Sequence, residues 1–236
     1  MRSLSSNLLL SSLGPSDLEV LRPHLRPFSY EQGKILFEAG DQISGVYFPL
    51  DAIISLVVLL QSGESVEAAM VGRDGVVAAS SALDGKLGLN RAIVQIGGTG
   101  VLCDADTFKR LAFQNAGLLS LIISHEQAVY AQAQQSAACN VAHDATARLC
   151  RWMLRARDLS GSDTLPFTQE FLAEMLGVQR TTVSPVAHTL QAAGMIQYKR
   201  GKIHILDVEG LRESACECYS TVKKRYEELV GGKMPP

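Results

Sequence analysis

The chain changes texture at residue 107, and that break constrains its fold more than any other feature. From Thr107 to Asp158 there is one glycine, Gly117, and no proline, in a stretch dense in Ala, Leu and Gln. Helix interiors reject proline and disfavour glycine, so this stretch reads as helix. The first hundred residues are the opposite. They are short runs rich in Val, Ile, Tyr and Phe ("KILFEAG", "SGVYFPLDAIISLVVLL", "SVEAAMVGRDGVVAA", "NRAIVQIGGTGVLCD"), broken by Gly and Asp at close spacing. Such punctuation predicts a compact antiparallel roll or barrel. A helix is expected ahead of it around Gly14 to His24, with Asp17 and Glu19 in its first turn. "MRSLSSNLLLSSLGPSD" reads as a short amphipathic leader rather than a signal peptide, because Ser and Asn interrupt its apolar residues. The longest apolar runs, such as "IISLVVLL", are too short to span a bilayer, and a cytoplasmic location without membrane association is expected.

A long helix is predicted from about Asn115 or Gly117 to about Asn140. Along it Ile122, Val129, Ala133, Ala137 and Val141 form a stripe at spacings of seven and four, and six alanines lie between Ala128 and Ala142. Small residues let a second helix approach closely. Part of this helix is therefore expected to pair with its copy across a two-fold axis, and part to cover the roll. "AHDATARLCRWMLRARD" predicts another amphipathic helix with Leu149, Trp152, Met153 and Ala156 on one side, and "SGSDTLP" a turn or hinge. The expected organisation is α+β: a roll over residues 1–114, a dimerisation helix over 115–141, and a further domain over 142–236.

That last domain carries the strongest motif. Counting from Gln169 as one, apolar residues fall at four, eight, ten, fifteen and eighteen (Leu172, Leu176, Val178, Val183, Val186), with Ala173 at five and Gly177 at nine. A helix-turn-helix needs this arrangement: a small residue where the helices cross, a glycine at the left-handed turn, and apolar anchors on both helices. Thr168 supplies an N-terminal cap for the first helix. "GMIQYKRGKIHIL" follows as two short strands around Arg200-Gly201, a wing. The net charge is −2, yet Val178 to Leu206 holds four basic residues (Arg180, Lys199, Arg200, Lys202) and no acidic one, leaving −6 for the rest. That asymmetry marks a local anionic partner. Pro185 conflicts with the motif, since proline costs a helix interior about 3 kcal/mol. "SP" locally suggests a helix starting at Pro185, capped by Ser184. The apolar register instead demands helix from about Gln179, and the register prevails, with a first turn kinked or partly 3₁₀.

A roll, a long helix and a winged helix-turn-helix together resemble the layout of Crp/Fnr-type bacterial transcription regulators. The resemblance spans nearly the whole chain and is strongest over "FTQEFLAEMLGVQRTTVSPVAHTLQAAGMIQYKRGKIHILD", Phe167 to Asp207. It implies a cyclic-nucleotide-binding-like roll and a homodimer on double-stranded DNA with an inverted repeat. It implies contact with RNA polymerase for an activator, and no enzymatic activity. The implied DNA-contacting residues are Gln179, Arg180, Thr181, Thr182, Ser184, Pro185 and His188, with Lys199, Arg200 and Lys202 on the wing. Arg180 matches the family's guanine-reading arginine. Thr181 stands where many relatives carry a base-reading glutamate, and Thr181 and Pro185 depart from the common pattern.

Family rolls often hold cyclic nucleotides through a Gly-Glu pair and an Arg-Ser/Thr pair. Here Val76 follows Gly75 and Ala92 follows Arg91, so the polar partners are missing and cyclic-nucleotide gating is disfavoured. Arg73, Asp74 and Arg91 are the charged candidates for a small-molecule effector pocket, with solvated turn chemistry the favoured reading of all three. A ligand-independent DNA binder is a further alternative. The five cysteines (103, 139, 150, 216, 218) lack C-x-x-C spacing. Even the "CEC" pair reads as thiols in a reducing cytosol rather than a metal site, and no cofactor is expected. An iron–sulfur sensor needs four converging cysteines and the roll holds only Cys103, while His24, His125 and His143 are merely formal haem ligands. A cupin-like metalloprotein is nearly excluded, because no histidine lies between Phe28 and Asp106.

Overall fold

The computed structural model describes residues 3–231. Residues 1, 2 and 232–236, at the outer limits of the expected domains and including the start of the leader, lie outside the described residues. The architecture is α+β. Helices α1 (Leu8–Ser11) and α2 (Pro15–Leu21) precede seven strands: β1 (Arg26–Tyr30), β2 (Ile35–Phe37), β3 (Gly45–Pro49), β4 (Ile53–Leu59), β5 (Ser65–Val71), β6 (Arg91–Ile96) and β7 (Gly98–Asp104). They form two antiparallel sheets ordered β1-β7-β3 and β2-β6-β4-β5. Phe48, Ile54, Val94 and Val101 fill the space between them.

Two expectations about this region need correction. The leader is part of the core: Leu9 and Leu10 are buried. Asn7 caps α1 through Leu10 N at 2.9 Å and donates to Pro49 O at 2.8 Å and Gly75 O at 2.9 Å. The interrupting polar residue is thus a buried joint, as buried amides must be. In addition, "SVEAAMVGRDGVVAA" does not stay extended. The turn at Gly72–Gly75 ends β5, and helix α3 (Ala79–Leu83) starts from Ala78 at φ +69°.

Helix α4 (Ala105–Gln114) leads into α5 (Ala116–Ala142), where Asn115 caps Leu118 N at 2.9 Å. The face of α5 on the protein's own body runs Leu118, Ile122, His125, Ala128, Gln132, Ser136 and Cys139. The expected stripe is thereby split: Ile122 is buried against the roll, Val129 is half-buried in the same core, and Ala137 and Val141 are exposed. The outward face instead repeats Ile123, Gln127, Tyr130, Gln134, Ala137 and Val141, alternating four and three residues as a coiled-coil seam does.

The remaining elements are α6 (Ala145–Ser160), β8 (Thr164–Leu165), α7 (Gln169–Leu176), α8 (Arg180–Ala192), β9 (Ile196–Lys199), β10 (Lys202–Ile205), α9 (Val208–Ser214) and α10 (Cys218–Val230). The segment expected as a plain turn contains β8, which pairs with β10 in a three-stranded sheet. α10 returns to pack along α5. Trp152 of α6 sits edge-on to Phe167 at 4.7 Å, at the centre of a core that also takes Ile53, Val57 and Met70 from the roll. The roll and the C-terminal domain therefore share one packed boundary.

Candidate nucleic-acid interface

The helix-turn-helix is assembled from local causes. Thr168 accepts from Phe171 N at 3.2 Å and starts α7. Gly177 ends it at φ +61°, with Val178 N returning to Ala173 O at 3.0 Å, a glycine C-terminal cap. A Cβ on Gly177 would stand 3.0 Å from Val66 of β5, so the site is closed to larger residues twice over. α8 runs unbroken from Arg180 with Gln179 as cap, and Pro185 lies inside it with its ring exposed. Its buried anchors are Val183, Ala187 and Leu190; Val186, expected among them, is only half-buried. Thr182 N bonds to Gln179 O at 2.9 Å, a three-residue step that opens the helix.

The anchored face leaves the other side of α8 free. Gln179, Arg180, Thr181, Thr182, Pro185 and His188 are all exposed, and Ser184 is half-buried. Ser184 Oγ donates to Gln169 Oε1 at 2.7 Å, tying the two helices together. Arg180 Nη1 meets Glu170 Oε1 at 2.8 Å with both side chains more than half exposed, a pair of at most about 1 kcal/mol that a base edge can displace. Gln169 and Glu170 escaped the sequence reading. Their signal is weak, because a polar residue in a first turn is explained by capping alone.

The wing is a two-residue hairpin. Arg200 (φ +52°) and Gly201 (φ +73°) both take left-handed conformations, the geometry of the tightest hairpin turns. This pairs Lys199 directly with Lys202. Like charges opposite one another repel, so three exposed cations at this tip are stabilised by an anion brought to it. Gln191 of α8 accepts from Tyr198 N at 2.9 Å and holds the wing beside the helix.

Behind this surface the domain is docked on the roll. Ser65 Oγ donates to Glu174 of α7, and Gln32 Nε2 donates to Pro166 O at 3.1 Å. Glu67 of β5 accepts from Trp152 Nε1 at 2.9 Å, from Gln95 Nε2 at 2.6 Å and from Ser55 Oγ. Burial pushes its carboxyl up to about 7, against the opposing pull of the Ser55 and Trp152 hydrogen bonds and of Arg151 and Arg155. Arg73 donates to Asp158 O at 2.8 Å, and buried Asp74 pairs with Arg155 of α6. Asp74 and Arg73 are therefore joints between domains, not solvated turn residues. Arg91 instead grips Glu38 bidentately at 2.8–3.1 Å. The three candidate effector residues do not converge. None lines the roll's cavity of about 230 Å³ between Phe37, Leu56, Val77, Leu89 and Val129, whose lining holds no Lys or Arg.

Residues 147–214 match the family described as the Crp-like helix-turn-helix domain. Among solved structures, FixK2 from Bradyrhizobium japonicum superposes with a TM-score of 0.69 at 15% identity, over 81% of this chain and 98% of that one. A regulator assigned to the Crp/Fnr family from Eubacterium rectale gives 0.68 at 16%, over 89% and 98%. A Crp/Fnr-family transcriptional regulator from Thermus thermophilus gives 0.65 at 21%, over 80% and 98%. At these identities the likeness is one of fold. A comparison with curated proteins finds no match.

Proposed function

We propose that this chain, which has the fold of Crp/Fnr-type regulators and carries a Crp-like helix-turn-helix, is a sequence-specific DNA-binding transcription regulator. It works as a homodimer on an inverted repeat whose half-sites lie about one helical turn apart. The observation that carries the reading is the outward face of α8, opposite its buried anchors Val183, Ala187 and Leu190, beside a wing of three exposed cations. Arg180 donates to guanine O6 and N7 once released from Glu170, and Thr181, Thr182, Pro185 and His188 meet neighbouring bases or phosphates. Lys199, Arg200 and Lys202 hold the flanking backbone. The second copy comes from the coiled-coil repeat of α5, where Ile123, Tyr130 and Val141 are 50%, 66% and 91% exposed.

An effector held in the roll's cavity is small and not anionic. The roll's apolar cavity offers no cation to a cyclic phosphate, and Arg91 is occupied by Glu38. Calorimetric titration with cyclic AMP and cyclic GMP should give no heat; micromolar binding overturns this.

Selection of bound sites from random DNA tests the main reading. It should return a symmetric site with two half-sites. Arg180→Ala should weaken that site by about 1–3 kcal/mol and relax one symmetric base position. Lys199→Ala and Lys202→Ala should weaken all sequences alike and flatten the salt dependence. Enrichment of no sequence, or of unpaired half-sites, refutes the assignment.

A further inference from the structure

Four side chains converge where α5 ends and α10 begins. Cys139 and His143 stand one turn apart on the last turn of α5 and its cap, and Cys216 and Cys218 flank the start of α10. Their donor atoms all lie within 4.8 Å of one another, and all three thiols are buried. Two edges of this tetrahedron are close: Cys139 Sγ to Cys216 Sγ is 3.5 Å, and Cys218 Sγ to His143 Nδ1 is 3.6 Å. Sulfurs bound at about 2.3 Å around a tetrahedral zinc stand about 3.8 Å apart, so little movement is needed.

The surroundings fit as well. His143 directs Nδ1 into the cluster and presents Nε2 to Glu217 Oε2 at 3.1 Å. That carboxylate fixes the tautomer and ring orientation of a metal-ligating histidine. Gln135 Nε2 donates to Cys218 Sγ at 3.0 Å and orients that sulfur in the cluster. Three thiolates and one imidazole around a dication leave a net charge of −1; burial holds the Cys139 thiol up in the absence of metal, and the nearby Arg151 guanidinium opposes that and offsets part of the charge. The donors sit too close together for a four-iron cluster, whose cysteines must surround the whole cube. The expectation of no metal site rested on sequence spacing, which does not register side chains 77 residues apart that the fold brings together.

We propose that Cys139, His143, Cys216 and Cys218 form a structural zinc site. Its four protein ligands leave no open position, so it clamps rather than catalyses. It ties the start of α10 to the end of α5, which only two residues separate from α6. The metal thereby sets the angle at which the winged domain leaves the long helix.

The test is metal analysis of the full-length protein, purified under reducing conditions without chelators and then reconstituted with zinc and dialysed. About one zinc per chain is expected, and cobalt should give the intense visible bands of a tetrahedral thiolate site. Cys216→Ser and Cys218→Ser should each weaken or shift those bands. Because either change could impair folding, Glu217→Gln provides a surface variant. It should keep the fold and weaken zinc about 10- to 100-fold in competition with a chromophoric chelator. Less than one zinc per ten chains after reconstitution overturns the proposal. So does a cobalt spectrum unchanged in both cysteine variants, zinc affinity unchanged in Glu217→Gln, or a Cys139–Cys216 disulfide in the freshly isolated protein.

Discussion

The joint between roll and winged domain includes a buried ion pair, and breaking it should be severe. Asp74 and Arg155 have side chains only 3% and 8% exposed. Asp74 also accepts from Gly72 N at 3.0 Å, and its backbone carbonyl accepts from Tyr226 of α10. Asp74→Ala removes the counter-charge and leaves a guanidinium in the packed boundary, facing Met70 O at 3.4 Å. Loss of one partner of a buried pair costs about 3–5 kcal/mol, because the other keeps its desolvation penalty. For a chain of this size each kcal/mol lowers Tm by about 2–4 °C, so a drop of roughly 6–20 °C is expected. Arg155→Met alone should cost a comparable amount, leaving a buried carboxylate. The double variant Asp74→Ala/Arg155→Met removes both charges and should recover much of the loss. A double-mutant cycle read by calorimetry should therefore give at least about 1.5 kcal/mol of coupling. Arg91→Ala, which breaks a pair 26% and 37% exposed, is the control and should cost about 0–1 kcal/mol. Single variants within about 1 kcal/mol of wild type, or additive losses in the double variant, would refute the view that this pair locks the domains.

Three other outcomes follow from the same structure. Glu67 titrates near 7 in the folded protein against an ordinary value of 4.5, so the native state holds the extra proton between those pH values. Stability from this group is complete below about pH 4.5, falls as pH rises to about 7 and is flat above; Glu67→Gln should abolish that slope in Tm-against-pH profiles and raise Tm at pH 8. Replacing Tyr130 or Ile123 with Glu should give monomers in sedimentation without lowering the melting temperature of the roll, whereas Val129→Glu should destabilise the roll itself. Pro185→Ala restores a backbone donor in α8 and should stabilise the winged domain by about 1–3 kcal/mol, seen in denaturant unfolding. A shift in selected bases alongside that gain would show that the ring shapes the DNA contact.

Features with local causes were legible in the sequence. The Thr168 cap, the Gly177 turn and the Arg200-Gly201 hairpin each follow from what one or two residues permit the backbone to do. Pro185 shows the same logic under strain. Val183, Ala187 and Leu190 fall on one side of α8 at spacings of four and three, and burying that stripe outweighs the bond the proline removes. The phase of α5 was not legible, for a physical reason. Ile122 and Ile123 are adjacent, as are Val129 and Tyr130, so two neighbouring stripes are both apolar and differ by only 100° around the helix. Only the roll's shape decides that Ile122 turns inward and Ile123 outward.

The boundary between domains was hidden for a related reason. Glu67, Asp74 and Arg155 are charged residues that composition assigns to a surface, and each is spent on a contact between the roll and α6. Charges placed this way stabilise one relative orientation far more than they stabilise packing in general, since an apolar boundary tolerates sliding and a paired one does not. The proposed zinc site binds the end of α5 to the start of α10 ahead of α6, whereas Arg155 meets Asp74 from the third turn of α6. One restraint acts on the connection that leads into α6 and the other along α6 itself, so releasing either should leave the other as the pivot. The orientation of the winged domain toward DNA is then the quantity controlled jointly by the zinc clamp between α5 and α10 and by the polar joints that Asp74, Arg73 and Glu67 make from the roll to α6.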